Sequence, residues 1–322
     1  MSNLDRTPDL GTYGGRSGVA ATPVHEVFAG REVMLGESTK VRRLLPNLGR
    51  RLVGPWCFVD HYGPDDIAAG PGMQVPAHPH MGLQTVSWLI DGEIQHRDSV
   101  GSQQLIRPGQ LGLMTSGHGI THAEQSPRPA HPAMLHGVQL WVALPDSARE
   151  VAPHWAHHAD LPRFSDSGVS TTVIMGSLAG AVSPGQAYSP IVGADVALDP
   201  GADALLPLEP DFEYAVLTTL GELEVDGVTL TPGAMLYLGA GRRDLRLRSA
   251  PGARALLLGG EPFAEQIVMW WNFVGRSGDE IAAAREQWMA GERFGAVVGY
   301  DGEPLPAPPM PPGRLKPGGS KR

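Results

Sequence analysis

Apolar residues in this chain come in short runs, and the runs alternate with polar residues. The first group is VHEVFAG, REVMLG and WCFVDHYG, followed by LQTVSWLIDGE (83–93), QQLIRPGQLGLMTSG (103–117) and VQLWVALP (138–145). A second group holds TTVIMG, DVALDPG, EYAVLTTLGELEVDGVTLTPGAMLYLGAG (213–241) and LRLRSAPGARALLLGG (245–260). Glycine, proline, asparagine or aspartate separates most runs. Such spacing predicts short strands and tight turns, the pattern of an all-β sandwich or barrel. Helical periodicity is confined to RSGDEIAAAREQWMAGERFG (276–295), where Ser277 is placed as N-cap, Glu280 completes a capping box and Gly291 is placed as the stop.

The two β-rich groups resemble each other. HPHMGLQTVSWLIDGE (78–93) lies over PLEPDFEYAVLTTLGE (207–222) without a gap, and RPGQLGLMTSG (107–117) over TPGAMLYLGAG (231–241). A duplicated β-domain is therefore expected. The division is an extended arm at 1–24, a first domain at 25–160, a second at 161–275, the helix at 276–295 and a proline-rich tail at 296–322. That tail has seven prolines in its last twenty residues, so it reads as polyproline-like or disordered, or as an arm on a neighbour.

The copies differ in their histidines. All twelve lie between residues 25 and 158. The overlay puts Pro207 and Glu209 opposite His78 and His80, and Arg246 and Arg248 opposite His122 and Glu124. An arginine stays protonated and does not ligate metal, so only the first copy is expected to perform histidine chemistry.

Composition narrows the function classes. The chain has 322 residues, 42 glycines, 30 prolines and a formal net charge of −9. That acidity disfavours direct nucleic-acid binding. One cysteine, Cys57, excludes an intrachain disulfide and fits a reducing compartment. No run of 18 apolar residues occurs, and the first residues lack the apolar stretch of a signal peptide, so no membrane association and a cytoplasmic location are expected.

Candidate chemistry begins at His78-Pro79-His80. Proline biases this stretch to extended backbone, where side chains at i and i+2 leave one face. Two imidazoles so placed are half of a metal site or a pair of solvated surface residues, and the pair alone does not decide. His122-Ala123-Glu124 repeats the pattern downstream. Three imidazoles and a carboxylate make a sufficient nitrogen and oxygen set for a divalent transition metal, and four protein ligands on an octahedral ion leave two positions open. His61, His96, His118 and His136 read either as pocket-lining or ligand-orienting groups or as ordinary structural histidines. Trp88, Trp141, Trp155 and Trp271 read as core, Cys57 as a small buried hydrophobe, and Gly117-His118-Gly119 lacks the strand-to-helix context of a nucleotide loop.

FVDHYGP, HPHMGLQTVSWLIDGEIQHRDSVG, MTSGHGITHAE and HGVQLWVAL together resemble the pirin family, two-domain cupins. The resemblance is strong over about residues 25–145 and looser beyond. It implies a bicupin, two tandem cupin-type β-barrels or sandwiches, with one iron in the first ligated by His78, His80, His122 and Glu124 and a metal-free second barrel; nickel, cobalt, copper, manganese and zinc suit the same donors. Most cupins carry a glutamate ligand four residues past the second histidine, and Gln84 stands there, which leaves Glu124 to supply the carboxylate. His118 stands where pirins often have arginine, which bears on the cavity mouth. The implied activity is quercetin 2,3-dioxygenase-like: opening of a flavonol or related enol or diol by O2 with release of carbon monoxide, Glu124 acting as base. The alternative implied by the family is a metal- or redox-dependent transcriptional co-regulator that acts through protein partners without turnover.

Overall fold

A computed structural model describes residues 3–8, 11–14, 23–35, 39–47, 49–128 and 130–311. The first unit is a seven-stranded sheet on a four-stranded one. The large sheet runs His154–His158, Leu111–Thr115, Leu83–Asp91, Met134–Ala143, Trp56–Asp66, Thr39–Leu45, Arg31–Leu35, and the small one Gln74–His80, Ile120–Gln125, Ile94–Asp98, Gln103–Ile106. The second unit repeats the plan. Its small sheet runs Ala202–Pro207, Asp244–Ser249, Leu223–Val225, Val228–Leu230, and its large sheet has Ala253–Gly260, Glu213–Gly221 and Ala234–Gly239 as neighbours. The all-β bicupin expected from the runs is present, built as open sandwiches.

The two large sheets share one core. Trp88, Val138 and Leu140 of the first pack with Ala215, Leu217, Leu256 and Leu258 of the second. The Trp56 indole crosses the seam and donates to the carbonyls of Val192 and Gly259, each at 3.1 Å. Glu26–Ala29 also crosses, pairing with Ala234–Gly239 in the sheet of the second unit.

Strand pairing corrects the overlay. His122 stands opposite His78, and Glu124 opposite His96. In the second unit the corresponding pairs are Leu245 with Leu206 and Leu247 with Val225. Asp244–Ser249 alternates exposed and buried, and Arg246 and Arg248 point outward to Asp203. The gapless overlay is out of register at this strand, since a one-residue slip exchanges the faces of a strand and puts the outward Arg246 and Arg248 over the inward His122 and Glu124. Inside the second unit the ligand positions are leucines, around a void of about 10 Å3 lined by Leu206, Leu245 and Leu247. An apolar void of that size stays dry.

The helix spans Gly278–Met289, with Ser277 Oγ accepting from Glu280 N at 3.2 Å and Gly291 at φ +73° beyond its end. Glu280 does not close the capping box; its carboxylate accepts from Arg276 N and pairs with Arg149. Ile281 and Ala284 bury against Trp270, Trp271, Phe273 and Phe294. The described part of the tail, 296–311, departs from the expected free or neighbour-bound arm. Leu305, Ala307 and Met310 cover the helix cluster, and Leu305 N donates to Ala77 O at 2.7 Å. Its apolar residues bury on this chain, and its prolines have no N–H to satisfy. Of the arm, Gly11–Gly14 pairs with Gln266–Trp270, and Leu4 packs on the interior cluster of the first unit. The rest of the arm and of the tail lies outside the described residues. Among the described residues no helix is long and apolar enough to cross a membrane.

Candidate metal centre

The site lies on the small sheet of the first unit, facing inward. Gln74–His80 and Ile120–Gln125 run antiparallel, and their register shifts between His122 and Glu124. The extra residue falls at Pro76–Ala77, where a proline has no ladder N–H to give. Pro76 O accepts from His78 Nδ1 at 2.7 Å, and Ala77 O from Leu305. Just past His80 the chain turns through Gly82, at φ +71°, where a Cβ would meet Val274 O at 2.0 Å. Only glycine fits that turn.

The three imidazoles converge. His78, His80 and His122 are fully buried, and their ring nitrogens lie within 4.8 Å of one another. His78 Nε2 is 3.1 Å from His80 Nε2. Two nitrogens on adjacent positions of one ion, at bonds of about 2.0–2.1 Å, stand about 3 Å apart, so the spacing suits shared ligation. His78 gives its Nδ1 proton to Pro76, which leaves Nε2 as a lone pair. Among the described residues His122 Nε2 is buried without a hydrogen-bond partner, although buried polar atoms are normally paired. These observations fit a cation among the rings. Burial is the first cause that holds all three rings below their ordinary pKa, with His78 pushed down to about 4.

Glu124 is also inaccessible, but it groups with His122 and His96, and not with all three imidazoles, within 4.8 Å. Burial pushes its carboxyl up, but nearby positive charge and hydrogen bonding outweigh this and hold it below the usual value. Ser87 Oγ lies 3.1 Å from Glu124 Oε1 and 2.9 Å from Gln139 Oε1. One hydroxyl has a single proton to give. Turning the Gln139 amide, whose Nε2 otherwise has no partner among the described residues, makes a directed chain from Gln139 through Ser87 to Glu124. Gln84, at the usual cupin glutamate position, donates instead to Thr115 Oγ1 and Gln186 O.

The remaining histidines separate. His96 borders the site: its Nδ1 is 3.4 Å from His122 Nδ1, and its ring stacks on Trp155 at 3.7 Å. His61 and His136 form a buried pair on the large sheet, Nε2 to Nε2 at 2.9 Å. His118 is half-buried on the turn before Ile120, and its carbonyl accepts from Arg293 Nε at 2.6 Å. Trp88, Trp141 and Trp271 are core, as expected, but Trp155 is only half-buried and its role is the His96 stack. Trp141 also sets an edge against His80 at 5.1 Å. Cys57 is buried, its thiol pushed up to about 12 by that burial, which suits a hydrophobe and no nucleophile. A strand, Ile120–Gln125, follows Gly117-His118-Gly119, so no nucleotide loop exists there.

Two family models match the chain: pirin over residues 38–142 and the pirin C-terminal cupin domain over residues 193–295. A Pseudomonas aeruginosa protein, named provisionally as a quercetin 2,3-dioxygenase, is 49% identical over 283 residues, covering 87% of this chain and 89% of that protein. A Caulobacter vibrioides pirin-like protein is 39% identical over 271 residues, covering 82% and 93%. The crystal structure of a quercetin 2,3-dioxygenase from Acinetobacter baumannii superposes with a TM-score of 0.87 at 41% identity, over 90% of this chain and 97% of that one. With sheets, histidines and both family models in agreement, the chain belongs to the pirin family.

Proposed function

We propose that this pirin binds one divalent transition metal through His78, His80, His122 and Glu124 and opens a flavonol such as quercetin, or a related enol or diol, with O2. The observation that carries the reading is the 3.1 Å approach of His78 Nε2 and His80 Nε2 beside the unpartnered, buried Nε2 of His122. The names of the Pseudomonas aeruginosa and Acinetobacter baumannii proteins support the reaction class. Iron is the first candidate metal.

A metal held there supplies Lewis acidity and redox chemistry toward O2. The chain supplies the rest. His78, fixed by Pro76, and His80 present lone pairs from one strand, and His122 from its neighbour. Glu124 takes the proton of the substrate's enolic 3-hydroxyl. Tyr62, Met73, Val75 and Leu89 surround the interior with apolar surface that keeps bulk water out.

The test is aerobic turnover of quercetin by anaerobically reconstituted protein. Fe(II)-loaded protein is expected to bleach the flavonol with matching O2 uptake, while metal-free protein and His80→Ala do neither. Glu124→Gln is expected to keep metal and lose about 10²–10⁴-fold in rate, the usual worth of a general base. Wild-type rate in Glu124→Gln with metal in place would overturn the assignment of the base.

A further inference from the structure

We propose that a cleft between the N-terminal arm and the seam of the two units binds a planar aromatic anion, at a site separate from the imidazole cluster. The cleft holds about 500 Å3, within the range of about 300–1,000 Å3 usual for small-molecule sites. Tyr13, Phe28 and Phe58 give it aromatic walls. Trp141 closes its inner side, stacked on Phe58 with centroids 4.0 Å apart while its edge meets His80. One indole thus divides the cleft from the candidate metal centre.

Charge selects the sign of the ligand. Arg43 lines the cleft but is committed, its guanidinium bidentate on Asp60 at 2.9 and 2.8 Å. Arg31 and Arg51 line it too, and among the described residues neither forms an ion pair. Arg51 lies over the Tyr13 ring at 5.1 Å and donates through Nη1 to Tyr13 Oη at 3.4 Å, which holds its guanidinium at the wall. The acid of the lining is Asp5. Two guanidinium groups without a carboxylate partner among the described residues, in an aromatic concavity on a chain of net charge −9, make a local field opposite to that of the molecule. Flat rings fit the walls, and a carboxylate, sulfonate or phenolate oxygen suits the guanidinium forks.

The test is calorimetric titration of metal-free protein at low salt with 2-naphthoate and its neutral counterpart 2-naphthalenemethanol. Metal-free protein separates the result from flavonol chemistry, so failure of one does not entail failure of the other. Naphthoate is expected to bind once per chain, about tenfold or more tighter than the alcohol, the worth of a charge-assisted hydrogen bond. Arg31→Gln/Arg51→Gln should bring the two ligands to equal affinity. Ala29→Trp, at an exposed residue of the lining, should block both while leaving the far-ultraviolet circular dichroism unchanged. No binding of naphthoate overturns the proposal, as does equal binding of the two probes by wild type. Naphthoate binding that survives Ala29→Trp places the ligand elsewhere and overturns it as well.

Discussion

His96 Nε2 lies 3.0 Å from Asp98 Oδ2, and neither side chain has any exposure to solvent. Asp98 Oδ1 also accepts from the backbone N–H groups of Val100 and Ser102. Burial would raise this carboxyl, but its hydrogen bonds, the one from His96 first, hold it below the ordinary value. An ionised carboxylate only accepts, so His96 Nε2 carries a proton, and in the neutral ring Nδ1 is then a lone pair. His122 Nδ1 then donates to His96, and His122 Nε2 is the lone pair that faces His78 and His80. One buried carboxylate thereby sets the direction of protons across two imidazoles.

Asp98→Asn therefore tests how the site is aimed. An amide NH2 at this position would reverse the proton on His96 and, through it, on His122. Metal affinity, read by competition with a chromophoric chelator, is expected to fall about 10–100-fold, with the fold retained. Wild-type affinity would show that His122 is oriented by something else.

Metal content follows from the leucines of the second unit. Elemental analysis of purified protein is expected to give one tightly bound ion per chain, and His122→Ala to remove it. His154→Ala, on the half-buried edge strand, should leave it in place. Two tightly bound ions per chain would contradict the leucine assignment.

Acid competes with metal for the same nitrogens. Burial lowers His78 from 6.5 to about 4, so its ring stays unprotonated well below the ordinary imidazole value. Occupancy, followed in the presence of a weak chelator, is thus expected to hold through about pH 5 and to fall as pH approaches the folded value. Loss already near pH 6.5 would mean that the rings are solvated.

The His61–His136 pair predicts an acid-sensitive stability. Burial, reinforced by neighbouring charge, lowers His61 to about 3 and His136 to about 4. Both folded values lie below the unfolded 6.5. Above that pH both states hold neutral rings, and the pair contributes its full stability. Below it the unfolded chain takes up protons that the folded chain refuses, so stability falls by about 1.4 kcal/mol per pH unit for each ring. Denaturant titrations should show this loss as pH falls from 6.5 toward 4, on top of that from the buried His78, His80 and His122 rings, and His61→Gln/His136→Gln should make it shallower. An unchanged slope in the double variant would assign the loss to other groups.

The imidazole cluster was legible because alternation is a local property: His78-Pro79-His80 and His122-Ala123-Glu124 fix their own faces. The same reading applied to His96-Arg97-Asp98 would have found the orienting pair, since both side chains leave one face of Ile94–Asp98. Pairing between distant strands was less legible. The strand from Asp244 carries Leu245 and Leu247 inward, yet the turn before it gives no sign of the register, so a gapless overlay put Arg246 and Arg248 there. The tail misled for a related reason: its prolines speak against regular structure but not against burial, and Leu305 and Ala307 supply the apolar contact. The cleft involves the arm, Arg31 and Trp141, which are far apart in sequence and meet only through the fold.

Metal-dependent flavonol cleavage at the imidazole cluster is measured most directly by carbon monoxide. Fe(II)-loaded protein, mixed with quercetin and air in a sealed cell, is expected to release one carbon monoxide per flavonol consumed, at a rate proportional to metal occupancy across wild type, Asp98→Asn and His122→Ala. Flavonol loss without carbon monoxide, or carbon monoxide release that does not follow occupancy, would contradict it.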